Sequence, residues 1–263
     1  MCISQAVGPS AANGRADVKV VQVLLNANAT AFGLAEPLAE DGDFGSKTGS
    51  AILAFQESQG LQEHGAIRPD SPTLTRLADG LPKKLGVSAI QGIMARSTEE
   101  VVSRYAPALL DRMPANGIDT RLRCMHFLAQ IGHESAGFRY TEEIASGRDY
   151  EGRADLGNTE PGDGVRFKGR GLIQLTGRAN YAAYGKAIGV DLTGTDAYET
   201  LATDPVRAVD VACWFWSTKK LNHWADTDDV EKVTYHINGG FNGLEDRKAY
   251  LQRARFFVRG PPE

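Results

Sequence analysis

Apolar residues recur at helical spacing through most of the chain, and the pattern changes near residue 82. Ahead of that point three short helices are predicted. "DVKVVQVLLNANA" (17–29) puts Val18, Val21, Leu24 and Leu25 on one face, with Asp17 as its N-cap. "SKTGSAILAFQESQG" (46–60) keeps Ile52, Phe55 and Gln59 in step and stops at Gly60. "SPTLTRLADG" (71–80) starts at a Ser71 cap, has Pro72 at the first helical position and ends at Gly80. "EDGDFGSKT" (40–48) begins like a calcium loop, but the twelfth position from Asp41 is Ile52, where such a loop needs a bidentate glutamate. It reads instead as a turn that aims the second helix.

After a short linker, "GLPKKLGVS", the helical pattern resumes. "STEEVVSRYAPALLDRM" (97–113) opens on Ser97 and Glu100, a capping-box spacing, and stops around Pro114 and Gly117. "DTRLRCMHFLAQIGHES" (119–135) repeats Leu122, Met125 and Leu128 or Ala129 up to Gly137, and "DPVRAVDVACWFWSTKKL" (204–221) begins with an Asp204 cap and Pro205. "DDVEKVTYHI" and "LEDRKAYLQRARFFV" flank the turn "NGGFNG". Residues 144–172 are rich in Gly, Asp and Arg and lack periodicity, and an aperiodic loop of that length is usually functional. The predicted fold is mainly α, in two parts: 1–81 and 82–263.

Composition changes little in this picture. With 42% hydrophobic and 24% charged residues in 263, the chain has what an ordinary globular core needs. Runs such as "VKVVQVLL" fall short of the ~20 residues of a membrane span, so no stable membrane insertion is expected. The first residues lack a basic start followed by an apolar stretch, so no signal peptide is expected. Cys2, Cys124 and Cys213 are an odd, scattered set that fits a reducing compartment, with Cys124 as a small core residue. A net charge of -4 gives no reason to expect nucleic acid. Residues 1–81 carry five basic against nine acidic residues, which leaves 24 of each sign beyond them. The end "DRKAYLQRARFFVRG" is locally basic and reads as a solvated helix face rather than a membrane-seeking one.

Candidate chemistry gathers in "HFLAQIGHESAGFRYTEE" (126–143), with Glu134, Glu142 and Glu143. In an unbroken helix Glu134 and Glu143 would face opposite ways, ~13 Å apart along the axis. Gly137 is a helix terminator that lets the chain turn back, so that one acid sits at a helix end and another on the returning segment. Glycoside hydrolysis uses such a pair, one carboxyl protonating the leaving oxygen and the other activating water. On spacing alone, a solvent-facing Glu134 and a merely charged "TEE" remain the simpler reading. The zinc motif H-E-x-x-H fails, because its second histidine position is Gly137. His126 and His133, two turns apart, offer a ligand pair without a third member, so neither metal nor cofactor is expected.

Two resemblances sharpen this. "VKVVQVLLNA", "DGDFGSKTGSAILAFQESQGL" and "SPTLTRL", over residues 10–80, resemble the short three-helix peptidoglycan-binding domain. "FLAQIGHESAGF", "RFKGRGLIQLTGRANYAAYGKAIGVDL", "INGG" and a later "DR", over residues 90–258, resemble family 19 glycoside hydrolases, chitinase-like enzymes of the lysozyme superfamily. The resemblance implies a lysozyme-like catalytic domain (α+β, mostly helical) with Glu134 as general acid. It implies Glu143 rather than Glu142 as general base, on the spacing of phage lysins, and Thr176 as the hydroxyl that helps to hold the attacking water. It assigns sugar contacts to Gln174, Asn180, Asn238 and Arg247, beside His133. Tyr181 and Tyr184 read equally as ring surfaces for the sugar or as core residues. Inversion at the anomeric carbon is implied too. Plant-type members carry disulfides and extra loops that this chain lacks, which weakens long-chain chitin as substrate. The expectation is a monomeric phage endolysin that cuts between N-acetylmuramic acid and N-acetylglucosamine of bacterial peptidoglycan. It would wait in the host cytoplasm for a separate holin and act on the wall in the periplasm. A chitinase and a non-catalytic wall-binding protein are the alternatives.

Overall fold

The computed structural model describes residues 2–62 and 64–262, and their regular structure is almost wholly helical. The β component among the described residues is confined to isolated pairings, Val7 with Ile67, Glu142 with Arg170 and Arg170 with Leu175. In the first part α1 (Arg15–Ala27), α2 (Ser46–Ser58) and α3 (Pro72–Asp79) close around Val21, Leu24, Ile52, Phe55, Leu74 and Leu77, all buried. The Ser71 cap and Pro72 start are as expected, with Ser71 Oγ accepting from the Leu74 amide. The Asp17 cap is not. α1 begins three residues earlier, after Gly14, and Asp17 lies buried in its first turn. Its carboxylate accepts from the Ser4 amide and hydroxyl and the Gln5 amide, so it pins the preceding strand of chain instead of capping the helix.

The turn ahead of α2 is tied to α1. Gln22, buried on α1, donates to Asp41 Oδ1 at 2.9 Å and accepts from the Gly42 amide at 2.9 Å. Gly42 has φ +77° and passes so close to α1 that a Cβ would lie 2.5 Å from the Arg15 carbonyl oxygen, which only glycine tolerates.

The second part holds α4 (Val87–Ile93), α5 (Glu99–Ala115), α6 (Arg121–Glu134), α7 (Arg178–Ile188), α8 (Pro205–Thr218), α9 (Val230–Asn238) and α10 (Leu244–Phe257). Residues 124–132 of α6 are buried without interruption, the mark of a helix surrounded on all sides. α10 lies along it, and α5 packs on α8. At Gly132 the two helices come so close that a Cβ would stand 2.9 Å from the Tyr250 ring. Asp204 caps α8 as predicted. The predicted capping box at Ser97 is displaced by one residue, because Thr98 caps α5 through the Val101 amide. Ser97 Oγ instead donates to the Gly137 carbonyl at 2.6 Å.

Two other expectations change in three dimensions. The linker is packed, with Leu81 and Leu85 buried and the Leu85 amide bonded to the Pro261 carbonyl, and α4 touches α1, α5 and α10 together. The basic C-terminal stretch is not a free face either. Arg247 and Arg253 are buried, Arg255 pairs with Asp228 at 2.7 Å, and Lys248 lies between Glu231 and Glu245. The three thiols are free and buried. Burial pushes Cys2 and Cys124 up to about 12 and Cys213 upward as well.

Candidate active site

Glu134 is the last residue of α6, and its side chain is 19% exposed. The helix ends there because the chain leaves the right-handed region at three successive residues, Ala136 (φ +50°), Gly137 (+74°) and Phe138 (+73°). Such angles are unfavourable for a phenylalanine. They are held by the buried Phe138 ring against Tyr105, by Ser135 Oγ accepting from the Phe138 amide, and by the Gly137 amide on the Gly132 carbonyl. The turn sends residues 139–143 back past the helix end.

Around Glu134 the contacts are polar and mostly come from α10. Arg247 Nη2 donates to Glu134 Oε1 at 2.5 Å, and Arg247 Nη1 donates to Gln130 Oε1, one turn earlier on α6. Arg247 is 1% exposed, so it holds the carboxylate from behind. The sugar contact expected of it does not fit that burial. His133 Nδ1 meets Asp246 Oδ2 at 2.8 Å, and Arg96 Nη1 donates to Asp246 Oδ1 at 2.7 Å. Asn238, at the end of α9, is exposed, with a long 3.4 Å contact from Nδ2 to the Asn242 carbonyl, the same carbonyl that Arg247 Nε approaches.

A second group forms around Glu143. Its amide donates to the Gly169 carbonyl, its Oε2 accepts from the Gly169 amide at 3.0 Å, and its Oε1 accepts from the Tyr150 hydroxyl at 3.0 Å. Burial, reinforced by the Glu143 carboxylate, holds the Tyr150 phenol above its usual value, so it remains a donor. Gln174, in a left-handed conformation (φ +56°), is beside the same peptide, since a Cβ on Gly169 would be 2.9 Å from Gln174 Oε1 and 3.3 Å from Glu143 Oε2. Thr176 Oγ1 donates to the Gln174 carbonyl, and Asn180 Nδ2 to the Thr176 carbonyl at 2.7 Å, so Gln174, Thr176 and Asn180 form one bonded series.

Glu142 is differently placed. It pairs with Arg170 at 2.8 Å and Lys168 at 3.3 Å. Of the two adjacent glutamates, Glu143 has neutral donors and Glu142 has cations. Tyr181 is fully buried, donates to the Lys168 carbonyl and packs on Phe167, and Tyr184 is fully buried too, so of the two readings both tyrosines take the core one.

Gln130, Tyr150 and Asp246 were not singled out from sequence. Gln130 had a signal in its i,i+4 relation to Glu134, and Asp246 is the first member of the "DR" pair. Tyr150 sits in the aperiodic loop and had none. That loop is braced: Glu151 accepts from the Gly162 and Gly164 amides, and Asp163 pairs with Arg178 at 2.7 Å.

The two histidines face different aspartates, so they do not converge on one ion, and among the described residues no group of three potential ligands occurs. His126 is fully buried, with Nε2 2.8 Å from Asp228 Oδ1 and Nδ1 without a hydrogen-bond partner. Burial lowers its pKa below 6.5 despite Asp228. Because the folded value is depressed, its stabilising contribution is present above the unfolded value and is lost as pH falls through the folded one. The unfolding free energy from urea titration is expected to drop between pH 7 and 5, by up to about 1.4 kcal/mol per pH unit from this group. In His126→Gln that part of the slope should vanish, and an unchanged slope would remove His126 as its source.

A family model described as chitinase class I matches residues 123–235, and one described as a peptidoglycan binding domain matches residues 14–77. A glycosyl hydrolase family 19 domain-containing protein of Haemophilus influenzae is 35% identical over 162 residues, covering 50% of this chain and 78% of that protein. Endochitinase EP3 of Arabidopsis thaliana is 40% identical over 103 residues, 38% of this chain, and the chain spans only 36% of that relative. Among solved structures, a family 19 class IV chitinase from Zea mays superposes with a TM-score of 0.52 at 21% identity, over 66% of this chain and 92% of that one. Chitinase C from Streptomyces griseus gives 0.53 at 20%, over 67% and 78%. These two share the fold. With the match to the Haemophilus influenzae protein and the two family models, the chain belongs to the family 19 glycoside hydrolases, and it carries a peptidoglycan-binding domain ahead of the hydrolase domain.

Proposed function

We propose that this protein hydrolyses the β-1,4 bond between N-acetylmuramic acid and N-acetylglucosamine of bacterial peptidoglycan, with inversion, and serves as a monomeric endolysin in host lysis. The observation that carries the reading is the pairing of a family 19 hydrolase domain with a peptidoglycan-binding domain in one chain. A binding domain held on the wall raises the local concentration of substrate for its partner. In the proposed mechanism a proton on Glu134 Oε2, the oxygen that Arg247 does not hold, passes to the glycosidic oxygen as the bond to C1 breaks. Water attacks C1 from the opposite face and loses its proton to Glu143, with Thr176 steering it. Gln174, Asn180 and Asn238 would meet the hydroxyl and N-acetyl groups, since amides donate and accept at once. Exposed apolar side chains lie near both groups in sequence, Tyr140 and Ile144 by Glu143 and Tyr235 and Phe241 by Asn238, and would meet the sugar rings. Release from the host cytoplasm to the wall would need a separate holin.

The second reading, a chitinase, is favoured by the names of the plant relatives. One experiment separates the two: turbidity of purified sacculi with mass spectrometry of the fragments, beside N-acetylglucosamine oligomers. Clearing with reducing muramic ends is expected. Cleavage of the oligomers with intact sacculi would give the chitinase reading instead.

A further inference from the structure

The end of α6 is braced from outside by two consecutive residues, Arg96 and Ser97. Arg96 reaches His133 through Asp246, and Ser97 Oγ bonds the Gly137 carbonyl at 2.6 Å, in the turn between Glu134 and Glu143. There is little slack there, because a Cβ on Gly137 would fall 2.6 Å from Ser97 Oγ and 3.3 Å from the Tyr250 hydroxyl. What holds Ser97 itself comes from the other part of the molecule. Lys19, on α1, donates from Nζ to the Ser97 carbonyl. A lysine that is 2% exposed is rare, because an ammonium ion leaves water at a high cost. Here Glu40 and Glu99 supply an opposing field, and burial still lowers the Lys19 pKa. Glu40 is in turn fixed by Asn26 Nδ2 on Oε1.

We propose that Lys19 is a positioning residue for the hydrolase, a side chain of the peptidoglycan-binding unit that sets the turn between the two catalytic carboxylates through Ser97. The binding unit is then a built part of the active site as well as a tether. A tether alone requires only a flexible connection and would not spend a buried cation on a carbonyl of its partner. The packed Leu81 and Leu85 and the contact of α1 with α4 agree with a fixed junction.

The proposal rests on the reading of Glu134 and Glu143 as acid and base. Its test uses the full chain as wild type, Lys19→Met, Ser97→Ala and Glu134→Gln on soluble glycan strands freed of their peptides. Binding to intact sacculi and hydrogen exchange over residues 132–143 are measured alongside. Lys19→Met and Ser97→Ala are each expected to lower kcat about tenfold or more, since small misplacements at a reacting centre are that costly. KM and sacculus binding should be unchanged, and exchange at the Gly137 and Tyr140 amides should speed up. If Lys19→Met does not fold, Ser97→Ala decides, because it removes only a hydroxyl. Unchanged kcat and unchanged exchange in folded variants would overturn the proposal. A wild type no faster than Glu134→Gln would instead refute the acid assignment, and exchange alone would then decide whether Lys19 sets the turn.

Discussion

With Glu134 replaced by glutamine, glycan cleavage is expected to slow by about 10²–10⁴, the usual contribution of a positioned acid or base. The substitution keeps an oxygen for Arg247 but removes the charge that the buried guanidinium faces, so the urea midpoint should also fall, and the rate loss is read on the folded protein. Glu143→Gln is expected to slow cleavage as much, with the Gly169 amide keeping its acceptor and the Tyr150 hydroxyl turning to accept from the new amide. Glu142→Gln makes the informative contrast. It weakens a half-exposed pairing with Arg170 and Lys168 and takes no part in proton transfer, so its rate should fall less than tenfold. Initial rates of reducing-end release from soluble strands measure all three. A Glu142→Gln loss as deep as that of Glu143→Gln would reverse the choice between the neighbours.

Arg247→Met is expected to have the largest effect on stability. The arginine is buried at 1% exposure and serves two acceptors, Glu134 Oε1 and Gln130 Oε1. Removing it leaves a carboxylate at 19% exposure without its counter-charge, and breaking such a pair typically costs 3–5 kcal/mol (order of magnitude). Against a usual total of about 5–15 kcal/mol, that is a large share. Adding Glu134→Gln removes the stranded charge, so the double variant should be more stable than Arg247→Met alone. Urea unfolding of the four proteins gives this coupling. A residue that only touched sugar would give another result, a higher KM at unchanged stability, and that outcome would restore the sugar-contact role for Arg247.

Much of the fold was legible because helical periodicity and caps are local. Ser71, Pro72, Asp204 and Gly137 work within a turn or two of their own position, and the predicted helices lie close to the observed ones. Where a short polar side chain had a distant partner, local reading failed. Asp17 and Ser97 both look like caps, yet Asp17 serves Ser4 and Gln5, and Ser97 serves Gly137 across 40 residues of chain. Sidedness was the other limit. Tyr181 is one residue from Asn180, and it is the packing of Phe167 and Lys168 around α7 that turns Tyr181 inward. Glu143 and Glu142 look alike in the sequence, and their surroundings differ only once the chain pairs with residues 169 and 170, one giving an amide and the other a guanidinium.

The buried thiols lend themselves to a use of their own. A thiol reacts as thiolate, and burial leaves Cys2, Cys124 and Cys213 almost none at neutral pH. Alkylation of the native protein must therefore wait for the chain to open locally. Cys2 lies between α1 and α10, Cys124 in α6 and Cys213 in α8. Without any added label, the three are clocks, one at the junction of the two parts and two inside the second. The order in which they are modified would map which part comes apart first.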